Sequence, residues 1–318
     1  MVKYAYHCSQ EQFSPSELLR YIKLAEQAGF NAIHSSDHFH PWSTTQGNSG
    51  FTLSWLGAAM QICKLPFSFV CSPGQRLHPA ILAQGLATLG EMFPGRITAE
   101  LGSGEALNEA ITGEPWPDKP ERNERLLECF EVIKELFTGE EVNYKGKHIT
   151  LEKARLFTLP VMKVPLFATA LSEETAAWAG TWADGLVTTA DKDINLTASK
   201  IKKFRNAAGE EKPVVLQYSF SFGHSYDDAL DQAAHQWSAV LLPVEELSNL
   251  RTPEEFEQKS RGVSKEEVEE KIPLYTSFEK ILADTEVYHD LGISAINLHN
   301  ISKDHQSFFR AIPDGIFE

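Results

Sequence analysis

The sequence predicts an α/β fold, a (β/α)8 TIM barrel, and three observations predict it. Short apolar runs rich in β-branched and aromatic residues alternate with longer segments of helical periodicity. Counting the runs gives eight strands. No linker-like change of composition interrupts the 318 residues, so the chain is expected to form one domain, residues 1–318. A doubly wound sheet of this length more often divides into two lobes.

The units follow in order. KYAYHC precedes the helical PSELLRYIKLAEQAG, FNAIHSS precedes FTLSWLGAAMQIC, PFSFVCS precedes PAILAQGLATLGEMF, and RITAELGSG leads through a loop to NERLLECFEVIKELF. The rhythm resumes with PLFATAL and EETAAWAGTWA, GLVTTA and NLTASKIKKFRNAA, and VVLQYSFSF and DALDQAAHQWSAVLL. It closes with TSFEKILADTEVYHDLG, SAINLHN and HQSFFRAI. Two stretches break it. Residues 142 to 157 alternate like a hairpin inserted after the fourth helix, and the charged segment PVEELSNLRTPEEFEQKSRGVSKEEVEEK reads as a helical insertion before the eighth strand, its charge a solvated face.

Composition excludes several classes. Acidic residues number 44 against 29 lysines and arginines, a net charge of −15, and no basic cluster stands out; a nucleic-acid or anionic-membrane partner lacks its electrostatic footprint. The four cysteines, Cys8, Cys63, Cys71 and Cys129, show no zinc-like spacing, which suits reduced thiols in a cytoplasmic setting. MVKYAYHCSQEQF resembles no secretory leader, and no window approaches eighteen apolar residues, so neither secretion nor membrane insertion is expected.

A barrel of this kind assembles its active site at the C-terminal ends of the strands. Those positions hold His7 and Glu11; Asp37, His38, His40 and Trp42; Cys71 and Ser72; Glu105 and Glu109; Thr188, Thr189 and Lys192; and His299. A strand-end histidine such as His7 or His299 is more often a hydrogen-bonded rim residue than a catalyst. The run DHFHPW is different, because so many polar groups together are costly to bury without partners. Glu105 follows GSG and could serve as a helix cap as well as a catalyst.

Three chemistries compete for this list. His38 and His40 form the His-x-His of a metal-dependent barrel hydrolase, but strands five and six end FATAL and VTTAD and offer no further histidine, so no metal is expected. A non-catalytic binding barrel remains open, since fold does not fix function. Hydride transfer between a flavin-like ring and a substrate uses every residue: a histidine takes a hydroxyl proton, a carboxyl manages the opposite proton, and an aromatic ring flanks the site.

The segments SDHFHPW, GFTLSWLGAA, RLHPAILAQGLATLGEMFPGRI, LGSGEALNE and ERNERLLECFEVIKELFTGEEVNYKGKHITL together resemble the bacterial luciferase-like superfamily. Within it they are most similar to the branch of deazaflavin (coenzyme F420)-dependent glucose-6-phosphate dehydrogenases. The resemblance implies that His38 is the base for a substrate hydroxyl, Glu105 its acid partner and Trp42 the ring that steadies the reacting species. It implies cofactor contacts at Asp37, at Glu105, and at Phe69, Val70, Cys71 and Ser72, where a cis peptide would form a bulge under the ring. Glu11, His40, Thr189, Lys192 and Lys271 then face the substrate, and a homodimer is implied.

The departures bear on the cofactor. Where the branch carries Gly-Gly to bring backbone amides to the cofactor phosphate, this chain has Ala170 and Leu171; Leu247 stands where a phosphate-holding lysine is expected, and His40 replaces a glutamine. Luciferase-like proteins that returned from the deazaflavin to an ordinary flavin resemble this pattern. The expectation is therefore an oxidoreductase of dehydrogenase or monooxygenase type acting on a small molecule, with FMN slightly preferred over coenzyme F420.

Overall fold

In the computed structural model, which describes residues 2–317, eight parallel strands close into a barrel. They are β1 (Lys3–Cys8), β2 (Ala32–Ser36), β3 (Phe67–Cys71), β4 (Ile97–Leu101), β7 (Leu166–Thr169), β8 (Leu186–Thr189), β9 (Val214–Phe222) and β11 (Ala295–Asn300). The intervening β5 (Val142–Lys145) and β6 (Thr150–Ala154) form the antiparallel hairpin after the fourth major helix, and the short β10 (Leu274–Tyr275) pairs with the end of β9. Closure runs through β9, which pairs with β8 from Leu186↔Val214 and with β11 from Ala295↔Val215.

The helices start where local chemistry starts them. Ser14 and Glu17 exchange hydrogen bonds as a capping box ahead of Pro15, and Pro79 and Pro120 occupy first-turn positions where a missing N–H costs nothing. The helices around the barrel bury apolar side chains against it: Leu18 and Ile22, Leu82 and Leu86, Ile133, Phe204, Phe278 and Phe308 are all fully buried. A fully buried leucine- to phenylalanine-sized side chain contributes about 1.5–3 kcal/mol, so the interlayer between barrel and helices carries the fold. All four cysteines are buried and free, and no helix among the described residues is long and apolar enough to cross a membrane.

The charged insertion does more than present a solvated face. Its helices Val244–Asn249, Pro253–Ser260 and Lys265–Lys271 lie over the C-terminal end of the barrel. Phe256 is fully buried and meets Trp42 edge-on at 5.3 Å, while Glu257 accepts from Thr44 N and Oγ1 at 2.7 and 2.6 Å. The insertion is therefore the roof over the DHFHPW loop.

Candidate active site

Under that roof a cavity of about 1110 Å³ opens along the barrel axis, ample for a ring cofactor with a small substrate. Its wall contains His7, Glu11, Asp37, His38, Trp42, Val70, Cys71, Ser72, Glu105, Glu109, Leu171, Thr188, Thr189, Lys192, Lys271 and His299. Strand ends far apart in sequence thus meet at one place, because every strand of a parallel barrel delivers its C-terminal end to the same face.

His38 sits at the centre of a hydrogen-bonded cluster. Its Nε2 lies 3.1 Å from Glu11 Oε1, and the other Glu11 oxygen accepts from Ser9 Oγ and Ser36 Oγ, both at 2.9 Å. Asn108 is oriented by its Oδ1, which accepts from the Phe39 and His40 amides at 2.9 and 3.3 Å. Its Nδ2 therefore faces His38 Nδ1, at 3.2 Å, as a donor. The same Nδ1 lies 3.3 Å from His40 O, so the ring has an acceptor on each side: with Glu11 in place a proton on Nε2 goes to that carboxylate, and with Glu11 displaced a proton on Nδ1 goes to the His40 carbonyl. The Trp42 ring lies 5.3 Å from the imidazole, tilted by 56°.

Glu105 occupies the N-cap position of the short helix Ala106–Glu109, yet its side chain makes no capping hydrogen bond; the capping expectation is corrected. The carboxyl instead joins the cavity wall, where burial pushes its pKa up to about 7, reinforced by Glu11 and Glu109 and opposed by His38 and Arg122. A carboxyl poised there can give or take a proton near neutrality. Asp37 is held differently: Arg76 Nη2 contacts its Oδ2 at 2.6 Å, and Arg76 Nε reaches Glu109 Oε1 at 3.4 Å. This buried bridge ties the loops after β2, β3 and β4 together.

Three expected contacts lie off the cavity wall. Phe69 is fully buried among the core side chains, because successive residues of β3 face opposite sides of the sheet and Val70 is the neighbour that faces in. Ala170 is buried and its amide donates to Val187 O at 3.0 Å, so that N–H is committed to the sheet. His40 Nδ1 donates to Leu107 O, 2.8 Å away, and the ring packs on Phe39; it fastens the loop to the helix beneath. The cis peptide is corrected as well: among the described residues all peptide bonds are trans, and β3 keeps a regular ladder to Cys71↔Leu101. His38 and His40 engage different partners, and no three metal-ligating side chains converge among the described residues.

One part of the cavity wall has features that the strand-end survey passed over. Arg122 is buried at the cavity wall, its Nε lacks a hydrogen-bond partner, and no carboxylate pairs with it among the described residues. Its guanidinium lies over Trp116 at 4.7 Å, and its Nη1 donates to Pro117 O at 2.9 Å. Lys119, though an exposed residue, donates to Ser103 Oγ at 2.7 Å, and burial around its ammonium together with Arg122 pushes its pKa down to about 8. Between them runs the Gly102–Ser103–Gly104 turn. A Cβ at Gly102 would meet Thr169 Oγ1 at 2.9 Å; Gly104 has φ +84° and a Cβ there would meet Glu109 at 3.1 Å. Glycine keeps this cradle open, and a buried guanidinium that acts on Glu105 and Asp118 from a distance but forms no salt bridge among the described residues suits an anionic group.

Comparison with known proteins agrees with this geometry. The model of the family described as Luciferase-like monooxygenase matches residues 3–295. The F420-dependent glucose-6-phosphate dehydrogenase of Microbacterium testaceum is 32% identical over 318 residues, covering 97% of this chain and 94% of its own. The solved structure of an F420-dependent secondary alcohol dehydrogenase in complex with an F420-acetone adduct is 31% identical, with a TM-score of 0.89 and coverage of 98% and 97%. The coenzyme F420 dependent tetrahydromethanopterin reductase of Methanopyrus kandleri, at 22% identity and a TM-score of 0.74 over 98% of this chain and 96% of its own, shares the fold.

Proposed function

The chain belongs to the luciferase-like monooxygenase family, whose members here are oxidoreductases, and from that premise we propose that it binds FMN in the barrel cavity and oxidises or reduces a small hydroxyl- or carbonyl-bearing substrate. The observation that carries the reading is the convergence of His38, Glu11, Trp42 and Glu105 on one cavity whose other wall holds the unpaired Arg122.

When bound, the flavin supplies the hydride acceptor or donor. Arg122 and Lys119 would hold its phosphate, and the Gly102–Gly104 turn lets backbone approach it. Val70, Cys71 and Ser72 would underlie the ring. A substrate hydroxyl that displaces Glu11 would meet a bare His38 Nε2 once the ring's single proton sits on Nδ1, donated to His40 O 3.3 Å away; the hydroxyl proton would then pass to Nε2 as the adjacent carbon is oxidised. Glu105 manages the second proton, and Trp42, clamped by Phe256, keeps water from the reacting face.

The preference for FMN rests on the far end of the cavity. Leu171 offers an apolar side chain, 62% exposed, where a glycine would leave free backbone, and the next helix opens with Glu173 and Glu174. Those carboxylates disfavour a long anionic tail. Coenzyme F420 is the second reading, favoured by the named cofactor of the relatives at 31–32% identity. A homodimer belongs to the same proposal. The exposed apolar side chains Phe157, Val161 and Met162 would suit its interface, and light scattering on the purified protein reads it directly.

The function is tested by mixing purified protein with FMN. Saturable one-to-one binding, seen as a perturbed flavin spectrum and quenched Trp42 fluorescence that is lost in Trp42→Phe, supports it. Absence of saturable binding of any flavin or deazaflavin would refute it.

A further inference from the structure

We propose that Glu100, His34 and His7 form a proton-relay chain that makes the floor of the cavity a second acid–base site, one that receives a hydrogen-bond-donating group of the bound ligand, a hydroxyl or an imide N–H. The identity of what fills the cavity rests on the reading above, whereas the chain itself is drawn from geometry alone. The three residues lie within strands β4, β2 and β1 rather than in the loops above them, and all three line the cavity together with His299.

The hydrogen bonds fix where protons sit. Glu100 is buried, and the one side chain that contacts its carboxylate, among the described residues, is His34, whose Nε2 lies 2.9 Å from Oε2. A buried carboxylate without a donor is costly, so His34 Nε2 carries a proton and donates it. The other His34 nitrogen, Nδ1, lies 2.6 Å from His7 Nδ1, and two nitrogens that close share one proton. In the neutral chain it belongs to His7, which donates to His34. The remaining nitrogen of His7, Nε2, is then bare and available to the cavity as an acceptor.

One added proton changes the pattern in a definite way. A ligand O–H or N–H bond breaks, its electron pair stays on the ligand, and a His7 Nε2–H bond forms. The His7 Nδ1 proton passes to His34 Nδ1. The positive charge thus rests on His34, in contact with Glu100, and His7 remains neutral. Burial and the neighbouring His299, His34, His305 and His38 all oppose a charge on His7 itself, so the carboxylate end is where the charge is tolerated. No electrons leave the ligand in this step. His7 is the residue that would touch ligand; His34 and Glu100 act through it as positioning residues.

Two further observations point to a ligand at this floor. The His299 ring lies 3.9 Å from His7, and its Nε2 is buried without a partner while its Nδ1 faces Ser219 Oγ and Gln217 Nε2 at 3.2 and 3.3 Å. Thr188 Oγ1, on the same wall, is also buried and unpartnered. Polar atoms left this way are satisfied by something that enters.

The test is long-range proton–nitrogen correlation spectroscopy of the full-length protein with isotope-labelled histidine, His7 being assigned by its disappearance in His7→Gln. Near neutral pH, wild-type His7 should be protonated on Nδ1 and bare on Nε2; a His7 protonated on Nε2 overturns the proposal, and this arm needs no variant. On lowering the pH the chain should take up one proton, and Glu100→Gln, which cannot hold the charge, should move that uptake about 1–3 pH units lower. Unchanged uptake in a folded Glu100→Gln protein refutes the relay. With FMN bound, as the visible spectrum reports, a moved His7 Nε2 signal assigns the donor to the ring imide. Movement only on adding propan-2-ol assigns it to a substrate hydroxyl, and movement with neither overturns the acceptor site. Failure of FMN to bind would instead refute the function proposed above and leave the tautomer and pH results standing.

Discussion

His38 Nε2 stands 3.1 Å from Glu11 Oε1 while Asn108 occupies the opposite ring nitrogen. An imidazole engaged on both sides has no vacant nitrogen, and an incoming hydroxyl gains access to Nε2 by displacing Glu11, with the His40 carbonyl, 3.3 Å from Nδ1, ready to hold the ring's own proton.

From this arrangement His38→Ala is expected to lower turnover roughly 10²-fold or more, the usual loss when a general base is removed. Cofactor affinity should stay within a few-fold, since in the proposed mode of binding His38 would meet the reacting group and not the phosphate. Steady-state kinetics beside a cofactor titration check both halves.

Glu105 sets a pH dependence of stability. Its folded pKa, about 7, lies above its ordinary value of 4.5, so between those values the folded state holds the extra proton. Stability is therefore full below about pH 4.5 and falls as pH rises towards 7. Glu105→Gln should remove this slope and become more stable than wild type above pH 7, by at most about 3 kcal/mol and less where cavity water reaches the carboxyl. Denaturant unfolding of both proteins at pH 5 and pH 8 reads it, and turnover in wild type should show a limb near the same pKa.

Arg122→Met should weaken FMN about tenfold to a hundredfold, as expected for a lost charge-assisted hydrogen bond of about 1.5–3 kcal/mol. Riboflavin, which lacks the phosphate, should bind the variant and the wild type alike. Equal loss for both ligands would show that Arg122 supports the fold of the Trp116 loop rather than the phosphate.

Glucose 6-phosphate is expected to be a poor substrate or none. Lys192 Nζ donates to Glu270 O at 2.8 Å, and Leu247 lines the wall where a cation would be needed. Assays with glucose 6-phosphate and with propan-2-ol under either cofactor check this; efficient turnover of the sugar phosphate contradicts it.

Much of this was legible in the residues. The period-two and period-3.6 runs place all eight barrel strands, the hairpin and the roof helices, and strand-end reasoning collects Glu11, His38, Trp42 and Glu105 into one cavity. What escaped has physical causes. Phe69 lies in the middle of β3 and Ala170 just past the end of β7, but which face of a strand looks inward depends on register, which a short apolar run does not fix. Arg76, Lys119 and Arg122 come from loops and a helix start, outside the strand ends; Asn108 was in view in GEALNE, and its role depends on an amide orientation that only the loop above it fixes. His34 and Glu100 carried a fainter signal: charged or polar residues in otherwise apolar runs, costly unless they meet each other.

The central claim, that this cavity is built for a flavin ending at its phosphate, is tested most directly by titrating the purified protein with FMN and coenzyme F420 side by side under one set of conditions. The account expects saturable one-to-one binding with FMN the tighter ligand. Coenzyme F420 binding at least tenfold more tightly, a gap of about 1.4 kcal/mol, would contradict it.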